Sequence, residues 1–296
     1  MTTGITTISP LNEKPYITVA EYLNAPTSID SSNLVVGGNS AAQTAELYNV
    51  IIRASSFISE YLNQDLNAAT NTENQRTRFT PEGFIALHPN NNPVISLSAF
   101  SYGSTPNNMT SLSDCSTVWF EDQQIIIPVS QLSTSYSSQG PLSFGGAGSN
   151  RNQIFTSYTY VSGFVNNLIS VATAGQTSLT VQDASGIVVG MRLRITDGAN
   201  SESVTVGSTY TYGSTTVPLA SALSYSHANT ITLGNMPTTI KQACILVTTA
   251  FLKMRGDSSM TMALSVNPSR TVTNDAIYGT DIGVALQMID LYKRVR

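Results

Sequence analysis

From Ser40 to Leu62 the apolar residues Leu47, Val50, Ile51, Ala54, Phe57, Ile58, Tyr61 and Leu62 recur in one stripe at helical spacing, with Asn49, Arg53, Ser56 and Glu60 opposite. That period predicts an amphipathic helix with one face in a core. Tyr48 and Ile52 fall outside the stripe, beside the small residues Ser55 and Ser59, and mark a second packing surface. Upstream, Thr18-Val-Ala-Glu21 reads as a capping box opening a short helix through Leu23 that Pro26 closes. Further on, Met236-Pro237 introduces the most apolar helix of the chain. Ile240, Ala243, Cys244, Leu246, Val247, Ala250, Phe251 and Met254 cover more than half of its wheel, Ile245 and Leu252 extend onto the other side, and Gly256 stands where a C′ residue belongs. Such a helix is expected to be central and to pack on the Ser40 helix. A last helix is expected from Thr280-Asp281 to the terminus, with Ile282, Ala285, Leu286, Ile289 and Tyr292 on one face and Lys293, Arg294 and Arg296 at its cationic end.

Between the helices the texture is β. Short runs at Phe84 to Leu87, Val94 to Phe100, Thr117 to Phe120, Ile125 to Val129 and Ile154 to Val161 read as strands. Pro89 to Pro93 and Glu121 to Gln124 serve as turns, and Ser133 to Asn152 forms a long loop. Residues 170 to 234 show no helical period. Leu179/Val181, Met191/Leu193/Ile195, Val204/Val206, Val217/Leu219 and Ile231/Leu233 alternate with polar residues between turns at Gly186, Gly190, Asp197-Gly198, Gly207 and Gly213. Five such strands predict a small β-barrel or sandwich.

Composition narrows the function. Charged residues are only 11% of 296, against about a quarter in an average soluble protein. With 14 Lys+Arg against 18 Asp+Glu, no overall basic field exists to bind nucleic acid tightly. Two cysteines, Cys115 and Cys244, cannot build a disulfide framework. The start of the chain lacks a basic and an apolar region of the secretory kind, and no apolar run approaches the ~18 residues of a membrane span, so a soluble, unprocessed protein is expected.

The candidate chemistry is thin. His88 and His227 lack metal-ligand spacing and read as structural. No Gly-x-Ser-x-Gly elbow supports a nucleophile. Leu34-Val-Val-Gly-Gly-Asn-Ser40 faintly resembles a phosphate cradle but matches neither glycine fingerprint, so it reads as a turn with Asn39 or Ser40 as N-cap. Glu121-Asp122, the only adjacent acidic pair, reads as turn chemistry. Cys244 faces core. No catalytic residue, metal or cofactor is expected, and the chain is read as no enzyme.

The order of elements carries more. A long helix ending Ala54-Ser-Ser-Phe-Ile-Ser-Glu-Tyr-Leu62 is followed by strands and Tyr160-Val-Ser-Gly-Phe164. Then come Met236-Pro-Thr-Thr-Ile-Lys-Gln-Ala243 and a terminal Met288-Ile-Asp-Leu-Tyr-Lys-Arg294. Over roughly 18 to 164 and 236 to 294 this resembles the head-tail connector (adaptor) family of tailed bacteriophages. The departure is the β-segment, which stands where the family has a few residues and resembles small modules appended to phage structural proteins. The resemblance implies an α+β fold: a helical adaptor body with a small sheet (residues 1–167 and 235–296) and an inserted all-β barrel or sandwich module (168–234). It further implies a ring, often of twelve copies, in the virion neck, assembled in the host cytoplasm. Its partners are the portal protein, a tail or stopper protein and, through the β-module, the capsid. Genome DNA passes the lumen without specific binding, and no membrane is involved. Interface residues are expected at Tyr48 and Ile52 and, on the C-terminal helix carried by the polar segment 257–279, at Ile282, Leu286, Ile289, Tyr292, Lys293 and Arg294; the same apolar face equally suits the subunit's own core. The alternative reading is a surface-exposed carbohydrate- or receptor-binding structural protein, and a cryptic hydrolase is the enzyme reading.

Overall fold

The computed structural model describes residues 14–78, 80, 84–112, 114–115, 117–121, 123–128, 153–254 and 280–294. The long loop at 133–152, the segment 257–279, Gly256, Asp122 and Arg296 lie outside the described residues. The chain divides into two compact units, Met1–Asp65 with Met236–Arg296, and Leu66–Asn235.

The first unit is helical. Helix α1 (Val19–Leu23) opens with the reciprocal capping box: Thr18 Oγ1 accepts from the Glu21 amide and a Glu21 carboxylate oxygen accepts from the Thr18 amide. Helix α2 (Ser40–Leu62) is capped by Asn39, whose side chain accepts from the Ala42 amide, and it ends at Asn63 in the left-handed region. Helix α3 (Thr238–Met254) buries Ile240, Ala243, Cys244, Val247, Thr248, Thr249, Ala250 and Leu252, packing on α2 and on helix α4 (Thr280–Ile289). The α-helix of the C-terminal segment stops at Ile289. Asp290–Tyr292 is a single 3-10 turn, so the helix does not run to the terminus.

Among the described residues the second unit is built of β-strands, with one 3-10 turn at Gly198–Asn200, and holds two cores. In the first, a sheet ordered β1 (Ala69–Arg78), β7 (Gln153–Ser162), β3 (Val94–Thr105), β4 (Asn108–Ser111) faces a sheet ordered β2 (Phe84–Leu87), β6 (Gln124–Pro128), β5 (Trp119–Glu121). Ile85, Leu87, Phe100, Ile125, Ile127, Ile154, Tyr158 and Tyr160 fill the space between them. All pairings are antiparallel, and β3 carries bulges against β7. Gly163, at φ +100°, closes β7 against the backbone of Asn67, where a Cβ has no room.

In the second core, β11 (Glu202–Thr205), β10 (Arg192–Thr196), β13 (Ile231–Gly234) and β8 (Asn166–Ile169) form one sheet, while β12 (Thr216–Pro218) and β9 (Ser178–Thr180) form another. Bridges Ile169 to Val181 and Val206 to Leu219 join their edges, closing six strands into a small barrel around Ile169, Leu179, Ile187, Leu193, Ile195, Val204, Val217 and Leu233. Ala68, Val165 and Ile95 pack on this core from outside residues 168–234.

The expected fold class is corrected here. The protein is mostly β-sheet, with four sheets and four α-helices among the described residues, rather than a helical body bearing a small sheet and an insert. The physical reason lies in β1, Ala-Thr-Asn-Thr-Glu-Asn-Gln-Arg-Thr-Arg, which has no large apolar residue to reveal a strand. It is held by ten residue pairs to β7 and by its inward polar side chains. With β1 and the equally polar β4 added, residues 66–167 become a sandwich that belongs with the barrel and not with the helices.

Val247 is fully buried between helices, so Val247→Ala is expected to cost about 2 kcal/mol, read as a lower denaturation midpoint with an unchanged slope.

Candidate functional site

The C-terminal helix spends its apolar face at home. Ile282, Ala285, Leu286 and Ile289 are buried in the helical unit. The turn that follows is fastened to the end of α2: Tyr61 donates to Asp290 at 2.9 Å, Gln64 donates to the Tyr292 carbonyl at 2.7 Å and the Arg294 amide to the Leu62 carbonyl at 3.0 Å. Lys293 Nζ stands 4.1 Å from the Tyr61 ring centroid. Of the eight residues expected at an interface, Ile282, Leu286 and Ile289 serve this core, and Tyr292, Lys293 and Arg294 tie the helix to α2. Ile52 is half-buried and Tyr48 is 41% exposed. The outer side of the same segment instead shows Val284 and, at 89%, Leu291.

The small-residue stripe beside Tyr48 and Ile52 is filled from within the chain. Tyr16 is buried there, its amide donating to Ser55 Oγ at 3.0 Å and its hydroxyl bonding Ser59 Oγ. Sequence reasoning missed it because Tyr16 lies outside any periodic run. Ser55 also approaches Cys244 Sγ at 3.6 Å, and burial pushes that thiol up to about 12. The Leu34 to Ser40 segment is closed by its own helix: buried Gln43 accepts from the Val35 amide and donates to the Val35 and Gly38 carbonyls. Nothing of a phosphate cradle is left.

In the β-unit, Glu73 gathers donors from three directions. Tyr158 Oη donates to its carboxylate at 3.0 Å, Tyr160 Oη donates more closely, and the Asn90 amide donates at 3.0 Å, fixing β1 and the loop after β2 to β7. Burial, reinforced by the Glu73 carboxylate, pushes the Tyr160 phenol up, so it remains a donor throughout the physiological range. His88 lies on this loop, its amide donating to Gln75.

His227 is only 2% exposed and sits between two carboxylates: Nδ1 is 2.9 Å from Asp197 Oδ2 and Nε2 is 2.9 Å from Glu202 Oε1. No spacing rule connects residues 25 and 30 apart; the barrel brings them together by pairing β10 with β11 and bridging Ala172 to His227. Among the described residues no group of three His, Cys, Asp or Glu is arranged to hold a metal ion, and no helix is long and apolar enough to cross a membrane. Comparison of the chain with models of protein families, with curated proteins and with solved structures finds no match.

Two measurements follow from these contacts. A thiol reagent at neutral pH should leave Cys244 unmodified in the folded protein and label it on unfolding; labelling of native Cys244 would contradict its burial. Glu73→Ala removes the acceptor of the Tyr160 hydroxyl and of the Asn90 amide and one of the two acceptors of Tyr158, and is expected to cost on the order of 2 kcal/mol, whereas Glu73→Gln, which keeps an acceptor, should cost clearly less in the same denaturation assay.

Proposed function

We propose that the chain is a structural protein of the tailed-bacteriophage virion, a head-tail connector whose copies form a ring beneath the portal, join capsid to tail and let genome DNA pass. The observation that carries the reading is the convergence of the helical segments bearing the connector resemblance, its strands and Tyr160 to Phe164 lying in the β-unit instead. The helical segments come from the two ends of the chain, yet they build one helical unit: Lys241 pairs with Glu21 at 2.6 Å, Tyr22 bonds Thr249 at 3.2 Å, Phe57 meets Phe251 edge-on at 5.8 Å and Tyr61 holds Asp290.

The charge arrangement supports the same role. Arg53, Lys241 and Lys253 of the helical unit each have a carboxylate partner, in Glu46, Glu21 and Asp281. Cations neutralised within the subunit contribute little to phosphate affinity, which grows with every Lys or Arg contact to the backbone, and a passage for sliding DNA needs low affinity. The portal, a tail or stopper protein and the capsid remain the partners of this reading. Exposed large apolar residues on the helical unit include Leu23, Val36, Tyr48, Val284 and Leu291.

Negative-stain imaging of the purified chain should show closed rings, and phage particles assembled without it should be heads that lack tails and lose DNA. Tailed, infectious particles lacking this chain would overturn the reading.

A further inference from the structure

The connector reading makes no use of the Asp197, His227 and Glu202 cluster, in which a buried imidazole touches two carboxylates. Asp197 directly follows β10, Glu202 begins β11, and His227 lies on the loop that leads to β13. Carboxylates only accept, so both are satisfied at once only by an imidazolium, which donates from both nitrogens; a neutral ring has one N–H to give. Glu202 also accepts from the Ser224 amide at 2.9 Å and the Tyr225 amide at 3.1 Å, and the Asp197 amide donates to Ser201 Oγ at 2.9 Å. From the remaining neighbour, the segment at Ala172, His227 meets only backbone, through paired amide and carbonyl bonds of 2.8 and 3.0 Å. The charged groups facing the ring are therefore Asp197 and Glu202.

We propose that Asp197, His227 and Glu202 form a charge clasp that holds the 224–227 loop on the barrel at neutral pH and releases it reversibly on acidification, while the rest of the β-unit stays folded. The asymmetry of the cluster sets the direction. A protonated carboxyl no longer offers the ring an anion, and an imidazolium buried without one is the costliest arrangement open to the site. A ring with a single N–H makes one bond fewer, but Glu202 keeps its two backbone donors and Asp197 is partly open to water. Burial pushes the Glu202 carboxyl up, but the Ser224 and Tyr225 amides and His227 outweigh it, and the group lies below its ordinary value. The stability it lends is thus fully present above the ordinary carboxylate range and is lost as pH falls through the depressed value.

Amide hydrogen exchange on the full chain, corrected for intrinsic rates, tests the clasp. Protection of the Ser224 and Tyr225 amides should hold from neutral pH to mildly acidic pH, then fall by about tenfold per pH unit for each proton taken up. Fluorescence of Trp119, which lies on β5 of the sandwich and meets Phe84 edge-on, should not change over the same interval. The double variant Asp197→Asn, Glu202→Gln should show no such acid step. Unchanged protection in acid, loss of protection together with the Trp119 signal, or a double variant that keeps the acid step would each overturn the proposal; the wild-type titration alone decides it if the variant does not fold.

Discussion

Water has to be kept off nearly the whole circumference of α3, and no single neighbour can do that. An amphipathic helix needs one partner; α3, with Ile240, Val247, Ala250 and Leu252 buried on different sides, needs several. The partners come from the far ends of the chain: α1 through Glu21 and Tyr22, α2 through Ser55 and Phe57, and α4 through its row Ile282, Leu286 and Ile289. Once these converge, everything from Leu66 to Asn235 is an excursion between two halves of one helical unit. The sandwich and the barrel must then each close on a core of their own, and they do.

Polar groups in this protein are used as carefully as apolar ones. With so few charges, each one taken out of water has company: Glu73 holds two phenols and an amide, Glu202 holds two amides and a ring nitrogen, and Glu21 serves a helix cap with one oxygen and Lys241 with the other. Apart from the local cap at Thr18, these bonds are long-range in sequence and short in space, so they fix which segments meet. Apolar burial alone leaves that choice looser, since one greasy face packs on another with little preference.

The helices were legible in the sequence because their signals are local. The α2 stripe, the Thr18 and Glu21 box and the apolar wheel of α3 each lie within a few turns of chain, and α2 has the bounds its period predicts. The barrel strands were legible for the same reason, through alternation such as Leu193 and Ile195. What escaped has its cause at a distance. β1 is a strand because β7 pairs with it, Tyr16 is core because Ser55 and Ser59 leave room for it, and His227 has carboxylates because a barrel closes around it. The overweight given to helices in the expected fold follows directly, since polar strands announce themselves only through their partners. The apolar face of α4 was readable as a face, but whether it served the unit or a partner depended on where α3 and α2 lie.

The barrel's entrance and exit are neighbours. Asn166 pairs with Gly234, the Val165 amide donates to the Asn235 side chain, and the Asn235 amide donates back to the Val165 carbonyl. A stretch of chain that begins and ends at one hydrogen-bonded point leaves the path of its host unchanged whether it is six residues long or seventy, on the order of what a single tight turn or a small domain requires. Length can therefore vary within residues 166–235 while Val165 and Asn235 stay side by side, so the chain leaves the barrel from the point where it entered.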